Sequence, residues 1–134
     1  MEPYGKKGRS ISFYSGKNES VITVYSQEVR DYANFLETHS DVKSYEVHVL
    51  LSKDLYININ PIDIRKAYFE EEWASDFLLH YIDGTLGVRE LVWKDNLDKR
   101  AVIEQIELSR RYWSLKNVRD WKLVVLERKQ QNVF

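Results

Sequence analysis

The sequence predicts an α/β fold: a mixed β-sheet flanked by helices, preceded by a short β-hairpin. Three observations carry this. Two apolar, alternating runs, "ASDFLLHY" and "LGVRELVW", are joined through Asp83-Gly84, a turn pair that tolerates positive φ. A long segment with helical periodicity follows at 96–118, and the strand-like run "DWKLVVLER" closes the pattern. A hairpin, a helical crossover and a further strand favour a mixed sheet with helices packed on it.

The elements read in order as follows. The first nine residues are polar and Gly-containing, and read as a flexible arm. "SISFY" and "SVITVY" flank the turn residues "SGKNE" as two short strands. Ser26 is placed to N-cap "QEVRDYANFLETH", in which Val29, Tyr32, Ala33 and Leu36 recur at helical spacing. "KSYEVHVLL" alternates, putting Tyr45, Val47, Val49 and Leu51 on one face of a half-buried strand. "LYINI" is a short strand-like run ending at Asn60-Pro61, and 61–72 carries no clear periodicity. After the hairpin, "NLDKRAVIEQIELSRRYWSLKNV" is the longest helix. Its expected core residues are Val102, Ile103, Ile106 and Trp113, its cap Asn96 or Asp98, and its surface pair Glu107 with Arg111. The core order is helix, three strands, helix, strand (αβββαβ).

Composition bounds the function. A chain of 134 residues, 43% hydrophobic and 13% aromatic with four Trp and nine Tyr, suits one domain with a substantial core. Charged residues make up 31% but nearly cancel, to a net −1, so any nucleic-acid contact must come from local patches. The absence of Cys excludes disulfides, thiol catalysis and thiolate metal sites. No apolar run approaches membrane-spanning length, which leads to the expectation of a soluble, intracellular protein without a membrane partner. The three His lack metal-ligand spacing, and no Gly-rich phosphate loop or Gly-x-Ser-x-Gly elbow is present. The aromatic groups Tyr112-Trp113 and Trp121 read as core packing rather than base-stacking platforms.

The hairpin holds the chemistry. Strand alternation puts Val88, Glu90, Val92 and Lys94 on one face, and chain reversal at Asp83-Gly84 brings Asp76 and Lys94 to the open end. A carboxylate that holds Mg²⁺, a second acid and a lysine that positions water and steadies charge on a phosphate are what metal-assisted phosphodiester hydrolysis requires. A solvated edge hairpin with surface charges would show the same residue types.

Longer stretches extend the pattern: "FYSGKNESVITVYSQEVRDYANFLETHSDVKSYEVH", "ASDFLLHYIDG", "VWK" and "RRYWSLKNVRDWKLVVLE". In this order, from about Ser10 to Arg128, they resemble the N-terminal nuclease domain of the TnsA endonucleases. Those are the partner subunits of heteromeric bacterial transposases, with a restriction-endonuclease-like fold and a Pro-Asp, Asp/Glu-x-Lys motif. The resemblance implies a Mg²⁺-dependent DNA endonuclease, with Mn²⁺ as substitute, that cleaves transposon 5′ ends. Its implied partners are double-stranded DNA, a DDE-type transposase subunit and an ATPase regulator. Its implied setting is the cytoplasm of a bacterium, encoded by the host, a phage or a mobile element.

By the same resemblance Asp76 matches the motif aspartate, with Ser75 where Pro is usual, and Lys94 matches the motif lysine. The acidic position two before the lysine is Val92, and Glu90 lies a further two residues away, about 7 Å along the strand. On the first predicted helix the family's glutamate falls on Val29, with Glu28 displaced by one position, about 100° around the helix. The candidate catalytic set is Glu28, Asp76, Glu90 and Lys94. Asp76 and Glu90 are the metal ligands, and Lys17 and Lys94 the DNA contacts. Lys6, Lys7, Arg9, Lys99, Arg100, Arg110 and Arg111 are further basic residues open to phosphate. The alternatives are a catalytically silent DNA-binding or scaffolding relative that recruits a transposase, and an interaction module that never touches DNA.

Overall fold

The computed structural model describes residues 9–128. The expected arm, with Lys6 and Lys7, lies outside the described residues except for Arg9. The elements are β1 (Ile11–Ser15), β2 (Ser20–Val24), α1 (Gln27–Glu37), β3 (Val42–Leu50), β4 (Ala74–Tyr81), β5 (Leu86–Trp93), α2 (Arg100–Leu115) and β6 (Asp120–Leu126). β1 and β2 pair antiparallel as a separate two-stranded sheet. The main sheet has the order β3-β4-β5-β6, with β5 and β6 parallel and the other neighbours antiparallel. This is an α/β architecture with a mixed four-stranded sheet flanked by helices, as the order of periodic segments indicates. Among the described residues no helix is long and apolar enough to cross a membrane.

Each face of the sheet has its own core. On one face Ala33 and Leu36 of α1 pack with Tyr45, Phe77 and Leu79, and with Ile22 and Val24 of β2. On the other face Leu108, Tyr112 and Trp113 of α2 pack with Leu78 and Val88. Tyr56, Ile59 and Ile64, from the segment between β3 and β4, complete that second core.

Local chemistry explains the element ends. The Ser26 side chain accepts from the Val29 N–H at 3.2 Å and starts α1 as expected. In the β4–β5 turn, Asp83 Oδ1 accepts from the Thr85 N–H and hydroxyl while Gly84 takes φ 90°. α2 begins later than expected: its N-cap is Lys99, with no side-chain cap bond, because Lys94–Asn96 first forms a 3-10 turn. Neither Asn96 nor Asp98 therefore caps it. The buried stripe of α2 is Glu104, Leu108, Ser109, Tyr112 and Trp113, whereas Ile103 is 51% exposed. Of the expected core residues Trp113 is buried and Val102 and Ile106 are partly buried, and the apolar pattern does not mark the polar Glu104 and Ser109 that share the stripe.

Two further expectations change. "LYINI" is not a strand: Lys53–Asn58 is a 3-10 turn that buries Tyr56. Nor do Tyr45, Val47, Val49 and Leu51 share a face. Tyr45 and Val47 pack on the α1 side, while Val49 and Leu51 pack on the α2 side. The change falls at His48, whose φ is 50°, a left-handed conformation that breaks strict alternation.

β5 and β6 are joined by more than their ladder. Arg89 donates from Nη1 to Asp120 Oδ1 at 3.1 Å and from Nη2 to Asp120 Oδ2 at 3.1 Å, and Tyr81 Oη donates to the same Oδ2. Gly87 makes room for this: a Cβ there would meet Asp120 Oδ2 at 2.6 Å. Asp120→Ala should strand the mostly buried Arg89 guanidinium and lower stability by about 3 kcal/mol. Lys122→Ala, at the exposed 3.8 Å partner of Asp120, should cost under about 0.5 kcal/mol. Urea unfolding midpoints check both, and equal midpoints for the two variants would contradict this role for Arg89.

Candidate active site

Asp76 stands where β4 changes face. Ser75 turns toward α2, its Oγ accepting from Trp113 Nε1 at 2.9 Å, while Phe77 packs in the α1-side core. Opposite, Val49 pairs with Ser75 and Val47 with Phe77, on either side of His48. The β4–β5 pairing runs from His80↔Leu86 to Phe77↔Arg89. Past that point the Leu91 N–H is taken by the Asp76 side chain, its Oδ2 accepting at 2.7 Å. The carboxylate thus does the work of a strand carbonyl at the place where the two strands part.

Glu90 lies beside it and faces α2. The residue is 2% exposed, and three donors converge on its Oε2: Ser75 Oγ at 2.6 Å, Ser109 Oγ at 2.6 Å and Trp73 Nε1 at 3.2 Å. Ser109 in turn accepts from Trp121 Nε1 at 3.1 Å. Oδ1 of Asp76 and Oε1 of Glu90 take no hydrogen bond among the described residues.

The electrostatics follow from burial and from like charge. Loss of hydration pushes Asp76 up to about 6, against which the Leu91 N–H works. Loss of hydration, then the neighbouring Asp76 charge, push Glu90 up to about 7, while the two serines and Trp73 favour its ionised form. Two carboxyl groups with raised values, Glu90 within reach of the Asp76 charge, mark the end of this strand pair as the candidate site.

The other expected site residues make no hydrogen bond or ion pair with these two acids among the described residues. Lys94 is exposed and opens the 3-10 turn after β5, and no ion pair joins it to Asp76 or Glu90 among the described residues. Glu28, in the first turn of α1, lines an open groove of about 830 Å³ with Tyr32, Phe35, Trp93 and Leu126. It is on the α1 side of the sheet, whereas Glu90 is on the α2 side. Val92 is buried, paired with Val125 of β6. Lys17 is committed to the protein, its ammonium donating to the Val42 carbonyl at 2.6 Å. Arg100 pairs with Glu104, and Arg110 and Arg111 both pair with Glu107.

The partners of Glu90 escaped the sequence reading. Trp113 and Trp121 read as core packing, Ser75 only as the residue standing where the motif has Pro, and Trp73 and Ser109 carry no local signal. The available signal was the number of Trp residues, since a buried indole N–H needs an acceptor.

Whether the pair fits a divalent cation turns on its donors. Among the described residues no group of three or more His, Cys, Asp or Glu could hold a metal ion. Two carboxylates, each with one oxygen free of protein donors, suit Mg²⁺, which keeps several waters and takes one or two carboxylates together with substrate phosphate. They do not suit an all-protein cage.

The raised values set a pH dependence. Because both folded-state pKa values lie above the ordinary carboxylate range, the pair's stabilising contribution is full below about pH 4. It is lost as pH rises through about 6 to 7. Asp76→Asn removes one of the two charges and keeps an acceptor for Leu91. In the absence of divalent cations it should match the wild type near pH 4 and exceed it by about 2 kcal/mol near pH 8. Urea denaturation at the two pH values measures this, and an equal difference at both would refute the assignment.

No protein-family model and no curated protein matches the chain.

Proposed function

We propose that this chain is the DNA endonuclease subunit of a cut-and-paste transposition system, with a restriction-endonuclease-like fold. In this reading it cleaves transposon 5′ ends by metal-assisted phosphodiester hydrolysis. The observation that carries it is the pairing of Asp76 and Glu90 at the open end of the β4–β5 hairpin. The mixed sheet with helices on both faces is compatible with such a fold, and the resemblance in residue order to TnsA nucleases adds the setting.

Asp76 and Glu90 would hold Mg²⁺, with Mn²⁺ as substitute; the ion supplies Lewis acidity toward the phosphate and a lowered pKa for the attacking water. The protein's own part is positional. Asp76 is fixed by the Leu91 N–H, and Glu90 by its three donors, so neither carboxylate needs reorienting when substrate arrives. Lys94, exposed just past the end of β5, is the ammonium that would orient water and steady charge developing on the phosphate. The partners in this reading are double-stranded DNA, a DDE-type transposase and an ATPase regulator.

A second reading is favoured by specific observations. Val92 is buried at the position where the motif has an acid, Glu28 lies across the sheet, and among the described residues no third acid joins the pair. These suit a catalytically silent relative that keeps the fold, binds DNA and recruits a transposase.

A nicking assay separates the two, using the purified chain, its transposase partner, transposon-end DNA and Mg²⁺. Asp76→Ala and Glu90→Ala should each abolish cleavage, and Lys94→Ala should slow it about a hundredfold. Cleavage that survives Asp76→Ala would remove the hairpin from the chemistry. A wild-type chain that binds the DNA and never nicks it would establish the scaffold instead.

A further inference from the structure

Three of the chain's four tryptophans converge on one carboxylate oxygen. Trp113 Nε1 donates to Ser75 Oγ at 2.9 Å, and Ser75 Oγ donates to Glu90 Oε2 at 2.6 Å. Trp121 Nε1 donates to Ser109 Oγ at 3.1 Å, and Ser109 Oγ donates to the same Oε2 at 2.6 Å. Trp73 Nε1 reaches Oε2 directly at 3.2 Å. The direction of both relays is forced. An indole N–H can only donate and an ionised carboxylate can only accept, so with Glu90 ionised each serine accepts from its indole and donates its own hydroxyl to Glu90.

We propose that Ser75 and Ser109 are positioning residues: driven by Trp113 and Trp121, they hold Glu90 by Oε2 so that Oε1 is presented, with Asp76, to a divalent cation. This rests on the reading of Asp76 and Glu90 as cation ligands. A buried carboxylate with a purely structural role gains by spreading its donors over both oxygens. Here all three fall on one oxygen and the other takes none among the described residues, on a residue adjacent to a second carboxylate that also has one oxygen free. The relays also tie the orientation of Glu90 to the seating of α2 through Ser109 and of β6 through Trp121. Supporting partners of this kind, outside the ligands themselves, set metal affinity by about ten- to a hundredfold in metal sites generally.

The test is binding of Mn²⁺ alone to the full chain, followed by calorimetry and Mn²⁺ paramagnetic resonance, without DNA or turnover. Wild type should bind and Asp76→Asn should not. Ser109→Ala should weaken binding about tenfold, and Ser109→Thr, which keeps the hydroxyl, should restore it. In NMR spectra with Mg²⁺, the indole N–H signals of Trp73 and Trp121 should move in wild type and stay in place in Asp76→Asn. Should Ser109→Ala fail to fold, Ser109→Cys, a much weaker donor of similar size, replaces it with the same expected loss. Wild-type affinity in Ser109→Ala or Ser109→Cys, with binding still lost in Asp76→Asn, overturns the positioning role and leaves the cation site standing. Absence of Mn²⁺ binding in wild type overturns the cation site and this proposal together.

Discussion

Placing the Glu90 carboxylate between the sheet and α2 is the constraint on which the rest of this arrangement depends. Taking an ion out of water costs several kcal/mol even after relaxation, and a buried acceptor left without donors costs more. What offsets that cost comes from four places in the chain: Trp73 ahead of β4, Ser75 in β4, Ser109 in α2 and, through Ser109, Trp121 in β6. Apolar packing of Leu108, Tyr112 and Trp113 would seat α2 on the sheet with some freedom to slide or rotate. The directional bonds to Glu90 remove that freedom, because a shift by one residue would carry Ser109 away and leave the carboxylate unpaired. The same serine is why the helix face cannot be read as a simple apolar stripe.

The second constraint is the break in alternation shared by β3 and β4. A regular strand pair would hold one set of residues against α1 along its whole length. Here the side chains change sides at His48 and Asp76, so the end of the sheet near Val49 and Ser75 belongs to the α2 core and the remainder to both. A polar side chain at that changeover is where the ladder can lose a backbone bond without leaving a donor unsatisfied. Asp76 does this for the Leu91 N–H. Irregularities of this kind re-aim side chains and cluster near functional sites, and the acid pair stands at this one.

Much of the scaffold was legible because its signals are local. Ser26 before an amphipathic run, Asp83-Gly84 between alternating strands and the closing "DWKLVVLER" each depend on residues within a few positions of one another, and each element formed where expected. The start of α2 was misread because Asn96 and Asp98 are good caps in isolation, while the chain uses that stretch for a 3-10 turn after β5. Within the site, the face shared by Val88, Glu90 and Val92 followed from alternation in β5, which is regular. The partners of Glu90 did not, since Ser75, Ser109 and Trp73 lie 15, 19 and 17 residues from it, with Trp113 and Trp121 further still, and they meet only when both helix and crossover strand are packed. Nothing local marks Ser109 as buried.

Charge balance then distinguishes Glu90 from the other buried charged side chains among the described residues. Of the buried charged side chains, Arg89 is matched by Asp120, and Glu104 by Arg65 and Arg100. Glu90 is matched by no cation among the described residues, and its nearest charged influence is another carboxylate. Hydroxyl and indole donors solvate the Glu90 charge without neutralising it; loss of hydration raises both acids, and the Asp76 charge raises Glu90 further. Glu28 cannot share in the arrangement, because the sheet stands between α1 and Glu90. Lys94 lies past the end of β5, exposed rather than folded back onto the pair. A protein that spends this much directional bonding on a like-charged pair, while leaving one oxygen of each acid without a donor, has the electrostatics of a site completed from outside. In the proposed reading a divalent cation would supply positive charge beside an acid that no cation among the described residues matches.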